Sequence, residues 1–97
     1  MASFYGRRHQ GHRTASGERY DAAALTCAHR TEPFGARLRV TDLATGRSVV
    51  VTVNDRGPYV HGRVIDLSLA AARELKMVRR GLVRVRVERV EKGVGGG

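Results

Sequence analysis

Two aspartates stand where a folded chain could present a carboxylic acid to a substrate. Asp55 follows the valine-rich stretch 48–53 and precedes Gly57-Pro58, so we expect it where a strand ends at the rim of a sheet. A carboxyl group with apolar neighbours in such a place can act as a general acid. The alternative is structural, because an aspartate before a turn can accept hydrogen bonds from backbone amides or pair with Arg56.

Asp66 is the second candidate acid. It follows the apolar pair Val64-Ile65 and precedes Ser68, a residue type that caps helices. A carboxylate near a helix N-terminus is favoured electrostatically, which gives Asp66 a structural interpretation. A buried strand that ends in aspartate would equally supply a second carboxylate at the rim.

The segment from Thr14 to Tyr20 combines the groups with which proteins hold sugars. It contains small polar residues, the carboxylate of Glu18, a guanidinium and a phenol. Polar groups of this kind bond sugar hydroxyls, and an aromatic ring contacts the face of the sugar. The alternative is an ordinary Ser-Gly turn with a solvated charge pair, which the residues alone favour.

Histidine and cysteine chemistry is less strongly indicated. His29 lies in a predicted strand, where an imidazole is either a buried hydrogen-bonding group or a residue that orients an acid. His9 and His12 have metal-ligand spacing, but arginines flank them and zinc needs three or four converging ligands. Cys27 has no activating partner in the sequence, so we interpret it as a small buried thiol. We expect neither a metal nor a cofactor.

The hydrophobic pattern predicts the elements that position these residues. Strands are expected at 2–5, 26–30, 37–42, 48–54, 63–66 and 82–90, with residues 37–53 forming a hairpin in which Val49, Val51 and Val53 share a buried face. One helix is expected over residues 68–77, with Ala71, Leu75 and Val78 on its buried side. One helical turn is expected at 21–25, and a polar surface loop at 7–19. Six strands in so short a chain avoid exposed edges best by closing a barrel.

Size and charge limit the function. A chain of 97 residues forms one domain, here predicted over 2–91, with a glycine-rich tail over 92–97. The net charge of +9 indicates anionic surroundings. The arginines are spread along the chain rather than gathered in one basic helix, which argues against a nucleic-acid module. No apolar signal segment or transmembrane stretch is present, so we expect any export signal to lie outside this chain.

Seven short segments, each a weak signal alone, occur in a specific order. They are Ala2-Ser3-Phe4-Tyr5-Gly6, 13–21, 24–29, Pro33-Phe34-Gly35, 46–51, 53–58 and 63–68. Together they resemble the rare lipoprotein A (RlpA) family over residues 2 to about 90. Cys27 departs from the pattern, since a small residue such as alanine is expected there.

The resemblance implies a mainly β fold, a six-stranded double-psi β-barrel with one or two short helices, like that of expansins. It implies an endolytic peptidoglycan lytic transglycosylase, which cleaves the β-1,4 bond between N-acetylmuramic acid and N-acetylglucosamine in stripped glycan and leaves a 1,6-anhydro product. The alternative is a non-catalytic, expansin-like wall-binding module. It also implies a monomer of the cell envelope, periplasmic or anchored to the outer membrane as a full-length protein.

The resemblance also assigns roles to residues. Glu18, His29 and Asp55 match positions tied to activity in the family, and Asp66 resembles the rim aspartate of expansin-like barrels. On this basis Asp55 is the expected acid and base, with Asp66 as its rival, and Glu18 and His29 position sugar or tune the acid. The expected substrate contacts are Tyr5, Thr14, Tyr20 and Arg56.

Overall fold

The structure is a computed structural model that describes residues 1–5 and 9–90. Residues 91–97, which include the predicted tail, lie outside the described residues, as do residues 6–8. The elements in chain order are β1 (Ala2–Phe4), β2 (Thr26–His29), β3 (Arg37–Asp42), β4 (Ser48–Asp55), β5 (Ile65–Leu67), α1 (Leu69–Glu74) and β6 (Val85–Arg89). The longest helix in this part of the chain has six residues, and none is long and apolar enough to cross a membrane.

The six strands form one curled sheet in the order β1-β5-β2-β4-β3-β6. β1 is parallel to β5 and β2 is parallel to β4, whereas the other neighbours are antiparallel. The two ends of the sheet meet just before β6, where Ala2 donates its N–H to the Val83 carbonyl over 2.8 Å and accepts the Val83 N–H over 3.1 Å. This curled, mainly β architecture confirms the predicted fold class.

The predicted hairpin is present as β3 and β4, which pair antiparallel with Val40 opposite Val49. Val49, Val51 and Val53 all point into the core, as their alternation with polar residues predicts. Cys27 is also fully buried there. Burial raises the pKa of its thiol to about 12, and the nearby charge of Asp66 adds to this effect. The thiol therefore stays protonated and unreactive, in agreement with a packing role.

α1 begins as predicted and ends early. The Ser68 side chain accepts a hydrogen bond from the Ala71 N–H over 3.2 Å and caps the helix. The predicted end at Met77 is wrong, because the helix stops at Glu74 and Lys76 adopts a positive φ of 53°. That left-handed residue redirects the chain, so Met77 is fully buried and Val78, predicted to be buried, is 42% exposed.

Other predicted elements differ as well. β1 and β2 end at Phe4 and His29, one residue earlier than predicted, and β4 ends at Asp55, one residue later. The predicted strand 63–66 is β5 at Ile65–Leu67, since the Arg63 N–H closes a turn onto the Val60 carbonyl. The predicted strand 82–90 is the shorter β6, preceded by the isolated bridge at Val83. The predicted helical turn at 21–25 is a non-helical turn, in which the Asp21 carboxylate accepts the Ala23 N–H over 2.9 Å.

Candidate functional site

Residues 9–20, which comprise the described part of the predicted surface loop and Tyr20, fold back on themselves through backbone hydrogen bonds. Tyr20 donates its N–H to the His12 carbonyl over 2.7 Å and accepts the Gly11 N–H over 2.9 Å, and Thr14 donates to the Glu18 carbonyl over 2.7 Å. We call this segment the 9–20 hairpin. In its turn, the Ser16 N–H donates a hydrogen bond to the Asn54 carbonyl over 3.2 Å, and this bond fixes the hairpin to the end of β4.

Asp55 is the last residue of β4 and is half-buried beneath this hairpin. Its Oδ1 accepts two backbone N–H groups, from Ala15 and from Arg56, each over 2.8 Å. Its Oδ2 accepts the Tyr5 hydroxyl over 2.7 Å. The fold therefore fixes the carboxyl group from two sides, and the two oxygens have different partners.

Asp55 opens into a small cavity between the hairpin and β1. The cavity has a volume of about 150 Å³ and is lined by Tyr5, His9, His12, Arg13, Thr14, Tyr20 and Asp55. Two larger depressions, of about 400 and 440 Å³, lie elsewhere, one beside α1 and one beside Arg80. We assign the site to the smaller cavity because its walls combine a half-buried carboxylate, aromatic rings and polar side chains, the combination expected of a sugar site.

Four rings form an aromatic cluster in the wall of this cavity. The centroid of Tyr5 lies 5.2 Å from that of His9 and 5.1 Å from that of Tyr20, and the His9 and His12 centroids are 6.1 Å apart. Burial raises the pKa of the Tyr5 phenol far above its usual value, and the hydrogen bond and charge of Asp55 act in the same direction. Tyr5 thus keeps its proton and acts on Asp55 as a neutral hydroxyl.

Thr14 and Tyr20, both predicted substrate contacts, line the cavity mainly as structural residues. Tyr20 is only 3% exposed, and its hydroxyl accepts the Leu69 N–H over 3.0 Å. Burial raises the pKa of the Tyr20 phenol despite that bond. Thr14 is also buried, and its hydroxyl donates to the Glu18 carbonyl over 3.1 Å. The part of each side chain that remains open to the cavity is therefore small.

Glu18 lies outside the cavity lining, on the exposed side of the hairpin turn. Its carboxylate accepts the Ser16 hydroxyl over 3.3 Å. Since Ala15 in the same turn binds Asp55, Glu18 and Asp55 are connected through one short loop.

Asp66, the rival acid, is held within the sheet and is only 9% exposed. Its Oδ1 accepts the Arg63 guanidinium over 2.7 Å and also the hydroxyl of Ser3, which lies opposite it on β1. Asp66 contributes to the raised pKa of Tyr5 and so lies near the site, but it does not line the cavity. Its contacts are those of a structural ion pair.

His29 and Arg56 form a second group next to the cavity. The His29 Nδ1 accepts the N–H groups of Thr31 and Glu32 over 3.2 and 3.1 Å. Burial lowers the pKa of His29, and the charges of Arg30 and Arg56 lower it further, although Glu32 opposes them. A neutral imidazole that accepts at Nδ1 carries its proton at Nε2, so it can donate one hydrogen bond.

The Arg56 guanidinium is committed to the same loop. It donates to the carbonyls of His29 and Glu32 over 3.2 and 2.9 Å and lies 4.0 Å from the centroid of the Phe34 ring. Neither His29 nor Arg56 lines the cavity. The structure thus brings Tyr5, Thr14, Tyr20 and Asp55 together and places Glu18, His29, Arg56 and Asp66 around them.

Sequence reasoning weighed His9 and His12 only as metal ligands and selected neither of them nor Arg13 as a site residue, yet all three line the cavity. The only available signal was the aromatic and basic composition of the loop, because their placement depends on how the hairpin closes. Within residues 1–5 and 9–90, no group of three or more metal-ligating side chains converges.

Comparisons with known proteins agree with this architecture. A family model described as "Lytic transglycolase" matches residues 1–87. The chain belongs to this family. A probable endolytic peptidoglycan transglycosylase RlpA from a Nostoc species is 57% identical over 90 residues, which cover 91% of this chain and 24% of the relative. The endolytic peptidoglycan transglycosylase RlpA of Neisseria meningitidis is 48% identical over 92 residues, covering 95% of this chain and 38% of the relative.

The family membership confirms the resemblance found in the sequence. The chain spans about a quarter of the length of the Nostoc relative and about two fifths of that of the Neisseria relative. Among solved structures, the Streptomyces papain inhibitor superposes with a TM-score of 0.72 at 26% identity, covering 93% of this chain and 90% of the inhibitor. The same backbone architecture therefore occurs in a protein named for inhibiting a protease.

Proposed function

We propose that this domain is an endolytic peptidoglycan lytic transglycosylase in which Asp55 is the acid and base. The observation that carries the proposal is the position of its carboxyl group, half-buried in a cavity with an aromatic wall and hydrogen-bonded to Tyr5 through Oδ2. The relatives that share this part of the chain are named as enzymes of this activity.

The contacts of Asp55 assign different tasks to its two oxygens. Oδ1 faces two backbone N–H groups, which can only donate. A proton on the carboxyl group therefore belongs on Oδ2, whose partner is the Tyr5 hydroxyl, a group that can either donate or accept. Oδ2 is the atom from which a proton can pass to a substrate in the cavity.

The reaction needs one such carboxyl group used twice. The Oδ2 proton passes to the glycosidic oxygen as the bond from that oxygen to C1 of N-acetylmuramic acid breaks, which releases the next sugar as an alcohol. The resulting carboxylate then accepts the proton of the C6 hydroxyl as its oxygen bonds to C1, closing the 1,6-anhydro ring and restoring the acid. No water is consumed.

The carboxylates of the site fit this reaction better than hydrolysis. Ordinary glycosidases place two carboxyl groups on opposite sides of the scissile bond. Here Asp55 is the one carboxylate among the described residues that line the cavity, since Asp66 is paired with Arg63 and Glu18 lies on the exposed turn. His29 and Glu18 can then act on the sugar only from outside the cavity wall.

The test is to incubate the domain with peptidoglycan glycan strands from which an amidase has removed the stem peptides. Mass spectrometry should detect new 1,6-anhydro ends, and Asp55→Asn should abolish them while Asp66→Asn retains measurable cleavage. Glu74→Gln, an exposed carboxylate at the end of α1, is the matched control. Thermal unfolding of each variant separates loss of catalysis from loss of fold.

Two results would refute the assignment. Anhydro products that persist in Asp55→Asn would move the acid to another residue. Glycan binding by the wild-type domain without any released product would favour the non-catalytic, expansin-like alternative. On the proposed function the domain works in the cell envelope, periplasmic or anchored to the outer membrane in the full-length protein, and as a monomer.

A further inference from the structure

Among the described residues that line the cavity, one cation has no carboxylate partner within the described part of the chain. The Asp55 carboxylate accepts the Tyr5 hydroxyl and two backbone N–H groups, and within residues 1–5 and 9–90 no guanidinium forms an ion pair with it. Four ion pairs occur in the described part of the chain, and Arg13, the one arginine that lines the cavity there, belongs to none of them. The site therefore offers an unpaired positive charge beside its acid.

One hydrogen bond orients the guanidinium of Arg13, and its other N–H groups remain available to a ligand. One nitrogen, Nη1, donates to the Gly17 carbonyl over 2.9 Å across the hairpin turn. A guanidinium carries five N–H groups in a fixed fork, so this bond orients the side chain and leaves most donors open. By contrast, the Arg56 guanidinium donates to the carbonyls of His29 and Glu32 and, over 3.5 Å, to that of Asp55, and Arg56 does not line the cavity.

We propose that Arg13 determines substrate specificity by pairing with a carboxylate carried by the sugar next to the scissile bond. This inference rests on the proposed function. A fixed guanidinium fork binds a carboxylate through two parallel hydrogen bonds, which makes the carboxylate its best-matched anionic ligand. In a peptidoglycan glycan that anion is the lactyl group of N-acetylmuramic acid.

The chemistry of that lactyl group means that Arg13 can distinguish glycan with stem peptides from glycan without them. Its carboxyl group is a free anion only where no stem peptide is attached, because the peptide is joined to it as a neutral amide. An amide has one oxygen and an N–H, so it loses both the charge and the second acceptor that the guanidinium fork requires. Arg13 thus favours stripped glycan by charge as well as by the absence of the peptide's bulk.

The hairpin supplies a matched control for this proposal. Arg19 is the cross-strand partner of Arg13, and its guanidinium likewise bonds one backbone carbonyl, that of Gly11, over 2.9 Å. It does not line the cavity. Arg13→Gln and Arg19→Gln remove the same charge from the same hairpin, and only the first should change recognition.

The experiment compares two polymers of equal bulk. One is stripped glycan with free lactyl carboxylates, and the other is the same glycan after carbodiimide coupling of those carboxylates to methylamine. Affinity is measured by titration calorimetry and cleavage by anhydro products. The wild-type domain and Arg19→Gln should bind the free-acid polymer about three- to tenfold more tightly than the amidated one, the range expected for a charge-assisted hydrogen-bonded pair that is partly exposed. At an ionic strength that screens the general attraction of a basic domain for a polyanion, Arg13→Gln should bind both polymers with nearly equal affinity.

Equal affinity of the wild-type domain for the two polymers would overturn the proposal, as would a preference that survives in Arg13→Gln. Loss of the preference in Arg19→Gln would also overturn it, because general surface charge would then be the cause. The two proposals fail separately. Absent cleavage with a retained binding preference contradicts only the catalytic assignment, and cleavage without any preference contradicts only the role of Arg13.

Discussion

Replacing Tyr5 with phenylalanine removes one hydroxyl from the site and nothing else. The ring contacts with His9 and Tyr20 remain possible, whereas the 2.7 Å hydrogen bond to Asp55 Oδ2 is lost. We expect the Asp55 side chain to keep its Oδ1 contacts with the Ala15 and Arg56 amides but to lose the orientation of Oδ2. Tyr5 is thus a positioning residue for the acid.

The size of the effect follows from the kind of bond. A hydrogen bond to a charged group contributes about 1.5–3 kcal/mol, and about 1.4 kcal/mol corresponds to a tenfold change in rate. Because Asp55 and Tyr5 are both only half-buried, water can replace the hydroxyl in part, so we expect the lower end of this range. The turnover number kcat should fall about tenfold, with KM nearly unchanged, because the hydroxyl acts on the acid rather than on the sugar.

The assay is the initial rate of anhydro product release as a function of glycan concentration. Tyr59→Phe is the control, since Tyr59 is 76% exposed and loses the same hydroxyl outside the site. The midpoint of thermal unfolding, Tm, should fall in Tyr5→Phe by roughly 6–12 °C at most, because the bond contributes about 1.5 kcal/mol and about 1 kcal/mol shifts a domain of this size by roughly 4–8 °C. An unchanged kcat, or a rise in KM alone, would refute the positioning role and would instead indicate a direct contact with sugar.

Two further predictions concern stability. Arg80→Leu leaves the fully buried carboxylate of Asp42 without the guanidinium that binds its Oδ2 over 2.5 Å. Because the Arg80 side chain is 38% exposed, we expect the free energy of unfolding, measured in urea, to fall by only about 2 kcal/mol. It should not fall in the control Arg79→Leu, since Arg79 is exposed. Burial lowers the pKa of His29 below its usual value of 6.5. The protein should therefore lose stability as the pH falls below 6.5, because a proton on Nδ1 prevents it from accepting the N–H groups of Thr31 and Glu32. In His29→Asn, which keeps an acceptor that does not titrate, Tm should depend less on pH between about pH 7 and pH 5, and an identical pH profile would contradict this role.

The elements that the sequence predicts well are those with a local hydrophobic period. β3 has the predicted bounds, because Leu38 and Val40 alternate with polar residues and pair with the equally regular β4. The start of α1 is also local, since it depends on the Ser68 side chain. Its end depends on Lys76 adopting a left-handed conformation, which residue types other than glycine rarely signal.

The candidate site is predictable only in part, because its contacts join distant parts of the chain. The Tyr5 hydroxyl and Asp55 are 50 residues apart, and the Ala15 amide and Asp55 are 40 apart. Sequence patterns indicate which residues could bind sugar but not which of them face the same cavity. The arrangement of Arg13 inside the cavity and Arg19 outside it depends on the pairing of the 9–20 hairpin, which has no strong hydrophobic period.

The way in which Asp55 is held explains how one site can be both fixed and selective. Its Oδ1 is bound by two backbone N–H groups, one from the hairpin and one from its own strand end, so the position of Oδ1 depends on the fold, whereas the orientation of Oδ2 depends on the Tyr5 hydroxyl. The residue proposed to select the substrate, Arg13, is by contrast a side chain of the hairpin that lines the same cavity. A substitution of Arg13 should therefore change which glycan is cut, whereas Ser16→Pro, which removes the N–H that bonds the Asn54 carbonyl, should lower the cleavage of every glycan.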